Sequence, residues 1–176
     1  VQWMTAASGI LHEEFHSAAF TREGGTMEMV QLWVNLPAKD KMAPPGYQTL
    51  LDGEIPSVAL PNEAGRLRVI AGEYAGARGP AKTFTHVDLW DVRLKSGARA
   101  EFALPEGHTL LVLTQSGNVR LNDDQSAGPS QLALFTREGG AIAVQAESDA
   151  KLLIMSGAPL NEPGVQYGPF VMNPEG

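Results

Sequence analysis

The chain holds four histidines, His12, His16, His86 and His108, and no cysteine. Any metal chemistry must therefore use imidazole and carboxylate donors. Two of the histidines fall in the run Leu11-His12-Glu13-Glu14-Phe15-His16. If residues 9–14 form a strand, side chains alternate between faces. His12 and Glu14 then point the same way, about 6.6 Å apart along the backbone. An imidazole and a carboxylate on one face suit non-haem iron and related ions. Glu13 points to the opposite face, towards solvent. His16 shares the parity of His12 but lies about 13 Å along an ideal strand. It reaches the same ion only if the chain bends. A bare His-x-Glu pair is also common on solvated surfaces, and the residues by themselves leave both readings open.

The other histidines give weaker patterns. His86 and Asp88 share a strand parity, which reads as an outward polar face opposite Val87 and Leu89. His108 follows the turn Pro105-Glu106-Gly107 and reads as a surface residue at a strand entry. No nucleophile elbow, phosphate-binding glycine loop or dinucleotide fingerprint is present. The glycine-rich stretch from Gly72 to Gly79 precedes no helical pattern and reads as a loop. Trp3, Trp33 and Trp90 fall within apolar strands, where core packing is the expected role.

Strands must position all of these groups, because helical periodicity is nearly absent. Short apolar stretches are expected as strands at residues 1–4, 9–14, 26–36, 66–71, 83–94, 98–104, 109–114, 119–122, 131–135, 141–146 and 151–156. Turn residues separate them, as in Lys95-Ser96-Gly97 and Gln115-Ser116-Gly117-Asn118. Such spacing predicts an antiparallel sandwich or barrel. Between Pro37 and Pro61 the rhythm breaks into a proline-rich connection. One identical repeat occurs: Phe20-Thr21-Arg22-Glu23-Gly24-Gly25 returns as Phe135-Thr136-Arg137-Glu138-Gly139-Gly140. It fits either a duplicated barrel or two similar glycine turns.

Composition narrows the function classes. The 176 residues carry a formal net charge of -7, with 43% hydrophobic and 19% charged residues. A packed domain is expected rather than disorder. An acidic chain lacks the basic field that holds nucleic acid, so no direct nucleic-acid partner is expected. No run approaches the roughly 20 apolar residues of a membrane-spanning helix. With no signal peptide pattern and no cysteine, the expected location is the cytoplasm.

Several runs carry a family likeness. They are Val1-Gln2-Trp3-Met4 through Leu11-His12-Glu13-Glu14, Gln31-Leu32-Trp33-Val34-Asn35-Leu36-Pro37, and Arg68-Val69-Ile70-Ala71-Gly72. Pro105-Glu106-Gly107-His108, Pro159-Leu160-Asn161-Glu162-Pro163 and Tyr167-Gly168-Pro169-Phe170-Val171-Met172-Asn173 complete the set. Together the chain resembles the pirin family of bicupins over essentially its whole length. The resemblance implies an all-β fold of two cupin (jelly-roll) barrels, the second complete and the first partial. Residues 1–36 would be the last part of the first, metal-site barrel, and 37–65 an interlobe linker. Residues 66–157 would be the second, metal-free barrel, and 158–176 a tail bridging the lobes. The implied metal site uses three histidines and one glutamate; His12 and Glu14 match the last two ligands. The family's His-Pro-His element, which supplies the other two, has no match here.

The resemblance further implies Fe(II), or another divalent metal, and a flavonol (quercetin) 2,3-dioxygenase activity once the missing ligands are present. Glu14 would then be both ligand and catalytic base, acting on a small aromatic flavonol-like substrate. The alternatives are a non-catalytic, redox- or metal-dependent interaction protein of the transcription co-regulator kind, or an inactive truncated form without metal. An incomplete first barrel would leave strand edges open. Self-association, or association with an N-terminal fragment, would cover them.

Overall fold

From residue 65 onward, apolar and polar side chains alternate, and strands form. The computed structural model describes residues 1–174; residues 175 and 176, the end of the expected tail, lie outside the described residues. The main strands are β1 (Ser57–Ala59), β2 (Gly65–Ala71), β3 (Val87–Leu94), β4 (Arg99–Ala103), β5 (Thr109–Ser116), β6 (Val119–Leu121), β7 (Gln125–Ala127), β8 (Gln131–Leu134), β9 (Ala141–Ala146) and β10 (Ala150–Gly157). They form a six-stranded sheet in the order β8-β5-β10-β3-β2-β1 and a four-stranded sheet in the order β7-β6-β9-β4. The pairings within both sheets are antiparallel. This is the all-β cupin class.

The inner faces of the two sheets share one core. Val69, Trp90, Val92, Val112, Leu152 and Ile154 come from the larger sheet, and Phe102, Val119, Ile142 and Val144 from the smaller. Trp90 packs edge-on against Tyr74, with ring centroids 5.3 Å apart. Burying each large apolar side chain contributes about 1.5–3 kcal/mol. At its start strand β3 is covered on both faces, since Leu89 is buried along with Trp90 and Val92.

These strands belong to a compact unit of Val1–Trp3 and Gln48–Asn161, so residues 48–65 of the proline-rich connection are part of it. Ser57–Ala59 pairs with Arg66 to Arg68 as an edge strand, which suits a proline-flanked segment. A second unit comprises Met4–Tyr47 and the chain from Glu162. In it, Lys41 is buried and donates to the Asn35 side chain. Burial lowers the Lys41 pKa, and the Glu162 carboxylate opposes that shift. Glu162 also accepts from the Ala38 N–H at 2.6 Å.

Two expected strands do not form. Residues 9–14 and 26–36 have no regular strand. A strand exists only when its N–H and C=O groups meet a neighbour's. These segments have no ladder partner among the described residues. Leu11, Phe15, Met29 and Trp33 accordingly lie exposed. Between the two segments, Ala18–Glu23 forms a short helix capped by Ser17, whose side chain accepts from the Phe20 N–H. Among the described residues, no helix is long and apolar enough to cross a membrane.

The identical repeat therefore has two structures. Phe20 to Glu23 is helical and ends at Gly24 with φ 68°. Phe135 to Gly140 is a loop between β8 and β9, and its Phe135 N–H extends the ladder by donating to Leu110 O at 3.1 Å. Intrinsic preference is a weak prior that the neighbouring residues override.

Candidate functional site

His12 and Glu14 lie on the irregular stretch that follows a turn at Ala7 and Gly9, where φ is 43° and 120°. His12, Glu13 and Glu14 are all exposed, so the alternation expected of a strand does not separate them. Neither His12 nor Glu14 makes a side-chain hydrogen bond or ion pair among the described residues. His16 instead packs its ring on Phe20, with centroids 5.5 Å apart. The two donors fit a divalent metal in kind, one imidazole and one carboxylate, and both are accessible. Among the described residues, no group of three or more His, Asp or Glu is arranged to hold a metal ion. One imidazole and one carboxylate alone would make up only part of a metal's coordination shell.

A second cluster forms where the sequence suggests only surface. His86, Asp88, Trp90 and Val92 share one parity on and just before β3, and Trp90 and Val92 belong to the core. Asp88 is consequently 3% exposed, and the outward placement expected for it is wrong. The cause is the burial of Leu89 on the other face. With both faces covered, Leu89 no longer marks the inner one. His108 shares parity with the core residues Leu110 and Val112, and Ser156 with Leu152 and Ile154. These four polar residues meet at one end of the core.

Their contacts are specific. The His86 Nε2 lies 3.2 Å from Asp88 Oδ2. Asp88 Oδ1 accepts from the Glu73 N–H at 3.2 Å. The backbone approaches so closely here that a Cβ on Gly72, where φ is +76°, would stand 2.0 Å from Asp88 Oδ1. His108 Nδ1 and Ser156 Oγ are 3.1 Å apart, and the His86 and His108 rings meet edge to face at 5.0 Å. Burial lowers the His108 pKa, the charge of His86 adds to this, and Asp88 opposes it. Burial thus favours the neutral imidazole of His108 beside the buried Ser156 hydroxyl.

A cavity of about 80 Å³ adjoins this cluster, with His108, Ser156, Asn122, Phe135, Thr136 and Arg137 in its wall. It has room for a few water molecules. A three-ring flavonol is far larger. Asp88 contacts His86 and not His108, so no Asp–His–Ser chain runs through a single imidazole. The cluster therefore lacks the arrangement that activates a serine. The parity of Asp88 with Trp90, Val92 and Leu94 is the sequence signal that locates it.

The chain has clear relatives. The pirin C-terminal cupin domain matches residues 89–176, and the pirin family matches residues 1–34. A Pseudomonas aeruginosa protein named "Putative quercetin 2,3-dioxygenase" is 54% identical over 173 residues, covering 98% of this chain and 60% of the relative. A Thermoplasma acidophilum protein of the same name is 30% identical over 188 residues, covering 98% of this chain and 71% of the relative. Human pirin is 36% identical over 179 residues, covering 98% of this chain and 59% of its own length. Among solved structures, the quercetin 2,3-dioxygenase from Acinetobacter baumannii is similar with a TM-score of 0.95 and 49% identity, covering 99% of this chain and 60% of that one. The chain thus spans about 60% of the length of the P. aeruginosa relative. With matches at both ends of the chain and a shared cupin fold, the chain belongs to the pirin family.

Proposed function

We propose that this chain is part of a metal-dependent pirin-type oxygenase acting on a flavonol-like substrate, with His12 and Glu14 as two of its metal ligands. The observation that carries this reading is the 54% identity, across 98% of the chain, to a protein named for quercetin 2,3-dioxygenase activity. The chemistry of the two residues is consistent with it. Both stand exposed and without partners among the described residues. Fe(II) is the proposed ion, and the further donors would come from the remainder of a longer protein. When bound, such an ion would polarise a chelating hydroxyketone and lower the pKa of its hydroxyl. Glu14 would accept that hydroxyl proton on a carboxylate oxygen. His12 would hold its imidazole on the same centre and keep Glu14 within reach of the substrate.

The test is substitution in the full-length protein. His12→Ala and Glu14→Ala should each lower iron content, read by elemental analysis, and flavonol consumption, read by absorbance. Glu13→Ala should leave both within about twofold of wild type. Full iron occupancy in Glu14→Ala would remove this carboxylate from the ligand set.

A further inference from the structure

The two sheets end in four strands: β8 and β1 bound the larger, β7 and β4 the smaller. Sheet edges are kept from pairing with other strands by charges, prolines and short length. Strand β4 carries Arg99 and Glu101. Strand β1 is three residues long and starts directly after Pro56, and β7 is three residues long and follows Asp123 and Asp124. Strand β8 reads Gln131-Leu132-Ala133-Leu134, with no charge and no proline, and its ladder continues through Phe135.

The register of β8 leaves its backbone open at two positions. The Phe135 N–H donates to Leu110 O at 3.1 Å. In an antiparallel ladder such positions alternate with positions whose N–H and C=O face the other way. Ala133 therefore bonds towards β5 as Phe135 does, and Leu132 and Leu134 direct their N–H and C=O off the end of the sheet. These groups have no partner strand among the described residues. Leu132 lies opposite Leu113, and Leu134 opposite Leu111. Leu110 and Val112 point into the core, so these four leucines face outward. Leu132 is 57% exposed and Leu134 71%. The apolar surface continues across the sheet in two rows, Leu132-Leu113-Leu153 and Leu134-Leu111-Met155.

We propose that β8 pairs with β8 of a second copy of this chain, about a two-fold axis through Ala133. The run Leu132-Ala133-Leu134 reads the same in both directions. A two-fold contact sets one surface against itself, and such a strand is self-complementary. In this register Ala133 faces the partner's Ala133, and Leu132 faces the partner's Leu134. Four backbone hydrogen bonds then close at the two leucine pairs. The leucines become cross-strand neighbours, and the apolar rows run on into the partner's sheet. Charge favours the same edge. Copies of a chain with net charge -7 repel one another, and at β8 no charge on the strand meets a like charge. One strand pair covers less than the roughly 1,200 Å² of a stable dimer, so the association is weak and concentration-dependent.

Sedimentation of the whole chain, from micromolar to near-millimolar concentration, tests this. It should show a monomer–dimer equilibrium that tightens as salt is added. Leu132→Lys should weaken the dimer at least about tenfold. Leu134→Ala and Leu134→Pro both remove the leucine, but only proline removes an N–H that points off the edge. Leu134→Pro should therefore weaken the dimer clearly more than Leu134→Ala. Leu51→Lys, at an exposed leucine elsewhere, should match wild type. The chain has no cysteine, so introduced thiols report the register. Leu132→Cys mixed with Leu134→Cys should cross-link under mild oxidation faster than either variant alone. Thermal melts check folding, and Leu132→Lys, on the exposed outer face, stands in if the proline variant melts early. A monomer at every concentration, an undiminished dimer in Leu132→Lys, or cross-linking no faster in the mixture would overturn the proposal.

Discussion

His86 and His108 meet edge to face at one end of the core, with ring centroids 5.0 Å apart, although they enter from the starts of different strands. Asp88 anchors the first ring and Ser156 the second.

His108 makes stability depend on pH. The His108 pKa is lowered in the fold, so the folded chain binds a proton there less readily than the unfolded chain. That penalty is absent well above the unfolded histidine value of about 6.5. It grows as pH falls through that value and levels off below the folded pKa. The urea midpoint should therefore drop between pH 7.5 and 5.5, and His108→Gln should drop less. An equal drop in both would place the titration elsewhere.

Gly72 is fixed by Asp88. A Cβ there would stand 2.0 Å from Asp88 Oδ1 and 2.7 Å from Val87 O, at a φ of +76°. Gly72→Ala should lose roughly 2 kcal/mol or more by denaturant unfolding. Gly97→Ala has the same sign of φ with nothing within 4 Å, and should lose less.

Trp90 and Phe102 are both buried in the core, yet they should respond differently. The Trp90 Nε1 has no hydrogen-bond partner, so replacing the indole by a phenyl ring strands no polar group. Trp90→Phe should lose less than Phe102→Ala, because the phenyl ring still fills most of the site. Phe102→Ala should lose about 3–5 kcal/mol, because its cavity cannot fill. Circular dichroism melts would rank them.

His12 and Glu14 are exposed and make no side-chain hydrogen bonds or ion pairs among the described residues. Substituting either should change the stability of this chain by less than about 0.5 kcal/mol. A metal-binding loss in these variants would then be a ligand effect. A large fall in the urea midpoint would instead show a structural role.

The sequence by itself determined the all-β class and most strands from residue 65 onward. Turn residues and short-range alternation are local signals, and Thr109–Ser116 and Ala141–Ala146 need little else to be located. The family likeness and the His12-x-Glu14 pair were also legible, because they are spelled in consecutive residues. Other features rested on distant partners. Residues 9–14 alternate well enough for a strand, but no neighbour among the described residues completes their ladder. Asp88 looked outward until Leu89, on the opposite face of the strand, proved buried as well. The repeat beginning at Phe20 and at Phe135 reads identically and folds as a helix end and as a loop. Arg66, Arg93 and Lys151 form a row only through the register of three strands. Register is set by which distant strands bury their apolar faces together, and a one-residue slip would turn every one of those side chains to the other face.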